Sequence, residues 1–374
     1  MKRNYSQKNV GILGGGQLAR MLVLKGHELG LRMHVLSEHE DDPAAQVTRY
    51  WHKGSLNNKK SLISFLKNVD VTTFESEFLD AQLLQSISKE HQFQIFPRPH
   101  LMARLQDRLN QKLLLKKHSM LTSEFIEWKT DLTWENLSQY SKDGIVIKTR
   151  RFGYDGYGTF IVKSSKDYES FIKHAEENEH GYIIEPFIHF KRELSLICAR
   201  NKMGQFIHFP LAESFQKDAR CFWVKGPVKH SLEKDLIKRC HRFLNSINYV
   251  GVMGIELFDN GKEILVNELA PRVHNTGHHS LDSLTYDQFT YHLLCLVSAD
   301  LPLPELVAPG FAMVNLLGEN TKNPSWEIPA KAQIYWYGKE QNRPGRKMGH
   351  INSIANNPKA ALNQALKALK EFSL

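Results

Sequence analysis

VMGIELFDNGKEILVNELAPRVHNTGHH, residues 252–279, is the stretch on which the architecture turns. Two apolar runs, Val252–Phe258 and Ile264–Leu269, flank Asp259-Asn260-Gly261. Asn-Gly between apolar runs is among the strongest hairpin signals, because both residues accept the left-handed backbone of a tight turn. The hairpin carries Glu256, Asn267 and Glu268. Two carboxylates and an amide amid apolar residues are costly to bury unless a cation joins them. Oxygen-only donors of this kind suit Mg²⁺, which keeps water and substrate phosphates as further ligands. Parity sets a condition. A strict two-residue loop would put Glu256 and Glu268 on opposite faces, whereas an odd loop, Asp259-Asn260-Gly261 with a glycine bulge, puts them on one face. The odd loop is the expectation; the plainer alternative is one exposed acid and one in a salt bridge.

The segment that follows, APRVHNTGHH (Ala270–His279), holds three histidines. Their spacing is not H-E-x-x-H and no cysteine is adjacent, which disfavours zinc. Arg272 and His274 beside a magnesium–phosphate site fit better as stabilisers of an anionic intermediate. Upstream, Lys148 ends the apolar strand Ile145–Lys148 and leads into RRFGYDGYG (Arg150–Gly158). A strand lysine entering a glycine-rich turn and a second strand reads as a phosphate-covering loop, or as an ordinary glycine hairpin. Glu185-Pro186-Phe187-Ile188 resembles a hinge strand whose backbone meets an adenine edge, with Glu193 near enough for ribose hydroxyls. Without context, both acids also read as solvated strand ends.

Strands dominate this middle region: Gly158–Lys163, Tyr182–Ile188, Glu193–Ala199 and Phe206–Leu211, interrupted by helices at Lys166–Glu177 and Leu232–Ile247. Before it, Val10–Gly14, Met33–Leu36 and Val69–Phe74 alternate with helical patterns such as Leu18–Leu29, the signature of βαβ units on a parallel sheet. Pro99–His118 reads as one helix with proline near its start. Gly14-Gly15-Gly16-Gln17-Leu18-Ala19 matches G-x-G-x-x-A after a strand, and Glu38 sits where a dinucleotide fold places a ribose-binding acid. A glycine loop at a helix N-terminus accepts any phosphate or carboxylate, so NAD binding and a plain strand-to-helix turn both stay open.

From Leu301 a smaller region begins, ending in a helix over Pro358–Phe372. It contains YWYGKEQNRPGRKMGH (Tyr335–His350), a basic loop suited to a phosphate monoester through Lys339 and Arg346, or simply solvated. The chain has 374 residues, 41 % hydrophobic and 24 % charged, as in globular proteins of two or three domains. Its formal charge of +9 is spread along helix faces with acids at helical spacing, which argues against nucleic acid and for a polyanionic small substrate. No run reaches membrane-spanning length, and the N-terminal MKRNYSQKNV reads as a short tail without a signal peptide. Four scattered cysteines (Cys198, Cys221, Cys240, Cys295) suit a reducing, cytoplasmic setting.

In this order, GGGQLARM (Gly14–Met21), GYDGYG, NELAPRVHNTGH and YGKEQNRPGRKMGH resemble the N5-carboxyaminoimidazole ribonucleotide synthetase family of the ATP-grasp superfamily over nearly the whole chain. The resemblance implies an α/β and α+β fold. An N-terminal parallel-sheet pre-ATP-grasp domain (1–105) precedes an ATP-grasp subdomain pair (106–300) and a small C-terminal substrate-side domain (301–374). It implies that Arg108, Lys148, Gly153, Tyr154, Asp155, Gly156, Gly158, Glu185, Pro186, Phe187, Ile188, Glu193, Gln216, Asn267 and Glu268 hold ATP, and that Glu256 and Glu268 hold Mg²⁺. Tyr154, Asp155, Arg272, Asn275, Lys339 and Arg346 would bind aminoimidazole ribonucleotide, with Arg272, His274 and Lys339 catalytic towards bicarbonate. A cytoplasmic homodimer without nucleic-acid or membrane partners is implied as well. The chain departs from the family at Tyr157, where arginine is usual, and at Gln216, where a histidine is expected. Lys217–Val228 is atypical, and Asp287 replaces a usual serine. Three alternatives follow: another ATP-grasp ligase on a purine precursor, a nicotinamide dehydrogenase using the Gly14 loop, and a non-catalytic ATP-binding relative.

Overall fold

The structure, a computed structural model, describes residues 7–153, 156–175, 179–319 and 324–373. The N-terminal strands form a four-stranded parallel sheet in the order Tyr50–Lys53, Arg32–Ser37, Asn9–Leu13, Val71–Phe74. Its central strand is apolar on both faces, with Val10, Ile12 and Leu13 fully buried, because helices cover both sides of a parallel sheet. The helix Gln17–Glu28 buries Leu18, Met21 and Leu22 against it. The edge strand Tyr50–Lys53 has no apolar run and escapes a reading based on periodicity.

Besides a two-stranded pair, Ser325–Trp326 with Phe372–Ser373, two larger antiparallel sheets follow among the described residues. The smaller runs Ile126–Glu127, Tyr182–Pro186, Ile145–Thr149, Thr159–Val162, backed by the helix Ser165–Ala175 through Tyr168 and Phe171. The larger has nine strands. From one edge it runs Ile264–Ala270, Gly251–Asp259, Arg192–Arg200, Ala212–Lys217, Arg220–Gly226, Gly310–Leu317, Lys347–Ala355 and Gln333–Trp336, with Phe206–His208 paired to Arg192–Arg200. The pairing of Arg220–Gly226 with Gly310–Leu317 carries this sheet into the C-terminal segment without a break. No helix among the described residues is long and apolar enough to cross a membrane.

Two expectations are corrected. The segment 99–118 forms two helices, Pro99–Leu105 and Arg108–Lys117, instead of one. Asp107 breaks them: its backbone is extended, and its carboxylate caps the second helix by accepting the Asn110 N–H at 3.1 Å. The same carboxylate takes Arg150 at 2.7 Å, so tertiary charge reinforces the break. The hairpin loop is the second. Asp259 pairs with Ile264, leaving a four-residue loop, Asn260 to Glu263, an even number. The parity shift comes from a bulge inside the strand. Leu257 opposes Val266, Glu256 opposes Glu268, and Asn267 is the extra residue. The carboxylates therefore stand opposite one another, as the chemistry needs, by a device other than the turn.

Candidate functional site

A cleft of about 880 Å³ opens between the two larger antiparallel sheets and the N-terminal domain, within the size range of small-molecule sites. Glu256 and Glu268 face each other across its wall. Burial and the nearby charges of Glu268 and Glu193 push the Glu256 carboxyl up to about 7. A cation between the two would relieve that repulsion. No cluster of three or more acidic, histidine or cysteine ligands occurs among the described residues. Two carboxylates and an amide oxygen are donors of the kind that suit a hard ion completed by water and phosphate oxygens.

Three cations of this wall, Arg108, Lys148 and Arg272, each rest on an acid. Arg108 Nη2 donates to Glu268 Oε2 at 3.0 Å, and Lys148 lies 3.2 Å from Glu185 and donates to Asn267 Oδ1 at 3.0 Å. Arg272 makes a bidentate pair with Glu77. Behind Glu185, fully buried Lys112 donates to it at 3.1 Å and to Ser123 at 2.7 Å, while the Ser123 hydroxyl donates to Glu185 at 2.6 Å. Burial pushes the Glu185 carboxyl up, but Lys148, Lys112 and Ser123 outweigh it and hold it at about 2. Burial pulls Lys112 down to about 8 against the pull of that charge. A carboxyl whose folded value lies below its ordinary 4.5 stabilises the fold above that pH. The contribution is lost as pH falls towards 2. Glu185→Gln should cost about 3–5 kcal/mol at neutral pH by stranding the Lys112 charge, and should flatten the acid limb of stability. Urea unfolding across pH 2–7 is the check; unchanged stability with an unchanged acid limb would refute the pairing.

His274 extends from the turn after the hairpin. Its Nδ1 lies 2.8 Å from Thr276 Oγ1 and 3.4 Å from the Thr276 backbone nitrogen, and its Nε2 lies 3.5 Å from Glu256 Oε1. Burial and the Arg272 guanidinium hold the ring down to about 3, so it is neutral at physiological pH. His278 and His279 are buried instead. His278 is held by Gln288, and His279 meets Ser283 and stacks on Phe311. Glu193 is pushed up to about 7 by burial, against a hydrogen bond from Gln216.

The cleft brings together nearly all of the residues singled out in the sequence. Arg108, Lys148, Gly153, Gly156, Glu185 to Ile188, Glu193, Gln216, Glu256, Asn267, Glu268, Arg272, His274, Asn275, Lys339 and Arg346 all line it. Gly158 does not; its carbonyl accepts the Thr149 N–H at 2.8 Å, and a Cβ there would meet Thr149 Cγ2 at 2.4 Å. Tyr154 and Asp155 lie outside the described residues. Sequence reasoning missed Lys112, Glu77, Arg220, Arg343 and Lys347. Glu77 was findable, since it follows a parallel strand at its carboxyl end, where open α/β sheets bind ligands.

The Gly14 loop is filled from within. Glu75 accepts the N–H groups of Gly16 and Ala19, and a Cβ on Gly14 or Gly16 would strike its side chain at 2.5 Å. The helix N-terminus that would hold a pyrophosphate already holds a carboxylate. Gln17 and Leu18 face the cleft. Titration calorimetry with NAD or NADP should therefore register no binding at millimolar ligand; micromolar affinity would restore a dinucleotide site.

Comparison with known proteins places these features in a family. Family models match as a ribonucleotide synthetase preATP-grasp domain at 7–106, an ATP-grasp domain at 113–289 and a phosphoribosylaminoimidazole carboxylase C-terminal domain at 312–364. The N5-carboxyaminoimidazole ribonucleotide synthase of Synechococcus elongatus is 35 % identical, covering 92 % of this chain and 89 % of its own. That of Aquifex aeolicus is 34 % identical, covering 92 % of each. The crystal structure of N5-carboxyaminoimidazole synthetase from Staphylococcus aureus complexed with ADP superimposes with a TM-score of 0.89 at 27 % identity, over 97 % of both chains.

Proposed function

The chain belongs to the N5-carboxyaminoimidazole ribonucleotide synthase family, and from that membership we propose that it carboxylates 5-aminoimidazole ribonucleotide with bicarbonate. ATP is consumed, and N5-carboxyaminoimidazole ribonucleotide, ADP and phosphate are formed, a step of de novo purine biosynthesis. The observation that carries the reading is the single cleft joining the Glu256–Glu268 pair, the Arg108 and Lys148 cations and the basic Lys339–Arg346 loop.

ATP lies with its adenine edge on the backbone of Glu185 to Ile188 and its ribose hydroxyls near Glu193 and Gln216. Arg108 and Lys148 take the phosphates, under the Gly153–Gly158 loop with Tyr154 and Asp155. Glu256 and Glu268 would hold Mg²⁺ beside Asn267, where it would neutralise charge on those phosphates. Bicarbonate oxygen attacks the γ-phosphorus, the bond to the bridging oxygen breaks, and ADP leaves with that electron pair. The resulting carboxyphosphate meets Arg272, neutral His274 and Lys339, the three groups assigned to catalysis. The exocyclic amine attacks its carboxyl carbon, or carbon dioxide released from it; phosphate departs and the nitrogen loses a proton. Tyr154, Asp155, Arg272, Asn275, Lys339 and Arg346 orient the ribonucleotide, and loop closure keeps water from the labile intermediate.

The same proposal includes domain limits at 1–105, 106–300 and 301–374 and a cytoplasmic homodimer. Four free, buried cysteines support a reducing compartment, and the family resemblance supports the dimer. The test is ATP cleavage in bicarbonate buffer with and without aminoimidazole ribonucleotide. Cleavage should depend on the ribonucleotide and yield its carbamate; no stimulation, or dependence on formate in place of bicarbonate, would overturn the reading.

A further inference from the structure

The stretch Lys217–Val228, atypical in sequence, resolves into the tip and second strand of a hairpin, Ala212–Lys217 and Arg220–Gly226. Asp218 and Ala219 turn the chain, both with positive φ (51° and 58°). The tip reaches the cleft. A Cβ on Gly156 would lie 2.3 Å from Ala219 Cβ, so the turn sits against the glycine loop. A Cβ on Gly345 would lie 2.8 Å from Arg220 Cζ and Nη1. The Arg220 guanidinium therefore lies along the Gly345 backbone, one residue before Arg346.

Charge distinguishes this end of the cleft from the metal wall. There, Arg108, Lys148 and Arg272 each face a carboxylate. Here, Arg220, Arg343 and Arg346 line the cleft, and none has an ion-pair partner among the described residues. Arg346 Nη1 donates to the Gln341 carbonyl at 2.8 Å, and Arg343 donates to the Gln341 amide oxygen; both partners are neutral. The Arg220 guanidinium makes no hydrogen bond among the described residues. The loop beneath it is fixed: Gly345 N–H donates to Gly318 and Gly318 N–H to Arg346, both at 2.8 Å. Guanidinium groups gathered around a hydrogen-bonded turn, without ion-pair partners among the described residues, have the chemistry of a site for a phosphate monoester dianion, which accepts paired N–H donors from more than one arginine.

We propose that Arg220 is a direct ligand of the ribonucleotide's 5′-phosphate, closing a clamp with Arg346 across the Gly345 turn. The inference rests on the carboxylation reading and adds a residue from a different strand to that phosphate site.

The experiment is steady-state kinetics of wild type, Arg220→Ala and Arg220→Lys, each substrate varied in turn, with the dephosphorylated riboside as a second acceptor. Arg220→Ala should raise KM for the ribonucleotide at least tenfold, leave KM for ATP within twofold, and leave turnover of the riboside unaltered. Arg220→Lys should recover part of the loss, and unchanged melting temperatures should accompany all three. An unchanged ribonucleotide KM in an active enzyme, a defect confined to ATP, or an equal loss with the riboside would each overturn the assignment alone. A wild-type protein without ribonucleotide-dependent ATP cleavage would instead fail at the carboxylation reading and take this inference with it.

Discussion

Glu268→Gln and Glu256→Gln are each expected to lower kcat by about two to three orders of magnitude, the range for losing electrostatic stabilisation of charge in the transition state. The two carboxylates stand opposite one another across the bulge in the cleft wall, so loss of either leaves the pair with a single charge. An amide keeps the shape and much of the hydrogen bonding but cannot replace the charge that holds a divalent cation. Glu268→Gln also weakens the partner of Arg108, 3.0 Å away, and should raise the KM for ATP more than its neighbour does. Glu256→Gln removes a charge that burial and Glu268 disfavour, so its melting temperature should hold or rise while activity falls. Kinetics under Mg²⁺ titration, with thermal melts alongside, decide it. Near-wild-type turnover in both variants would end the metal assignment.

The second large effect is on the substrate side. Arg346→Ala should raise the ribonucleotide KM by about one to three orders of magnitude, because a charge-assisted contact of roughly 1.5–3 kcal/mol is lost and the phosphate is left poorly solvated. The guanidinium is already oriented by the Gln341 carbonyl at 2.8 Å, so its wild-type contribution costs little ordering. KM for ATP should barely move if the nucleotide takes the proposed place on the Lys148 and Glu268 side of the cleft. Lysine at 346 should recover only part of the affinity, because a point charge cannot make two parallel contacts. An unchanged ribonucleotide KM, or a defect restricted to ATP, would show that the loop serves something else.

The sequence by itself determined the βαβ character of the first sheet, because apolar runs such as Val10–Leu13 alternate with amphipathic helices. The hairpin itself was also legible, with Glu256, Asn267 and Glu268 placed together amid apolar neighbours. Lys148 before a glycine-rich loop and Arg346 in a basic loop were picked out as local patterns, and both line the cleft. Other features depend on residues far apart in the chain, and only the tertiary structure decided those. The Gly14 loop looks like a phosphate cradle until Glu75 comes to occupy it from the next strand. Lys112 looks like a solvated helix residue until Glu185, 73 positions away, pairs with it in the core. The helix break at Asp107 is reinforced by Arg150, 43 positions away, and Asn267 is the bulged residue because Glu256 opposes Glu268 while Leu257 opposes Val266. Arg220 lies in the stretch Lys217–Val228 that stood out as atypical, but its meaning lies in the Gly345 turn against which the hairpin sets it. Periodicity and propensity act over a few residues, whereas buried charge is satisfied by whichever partner the fold delivers.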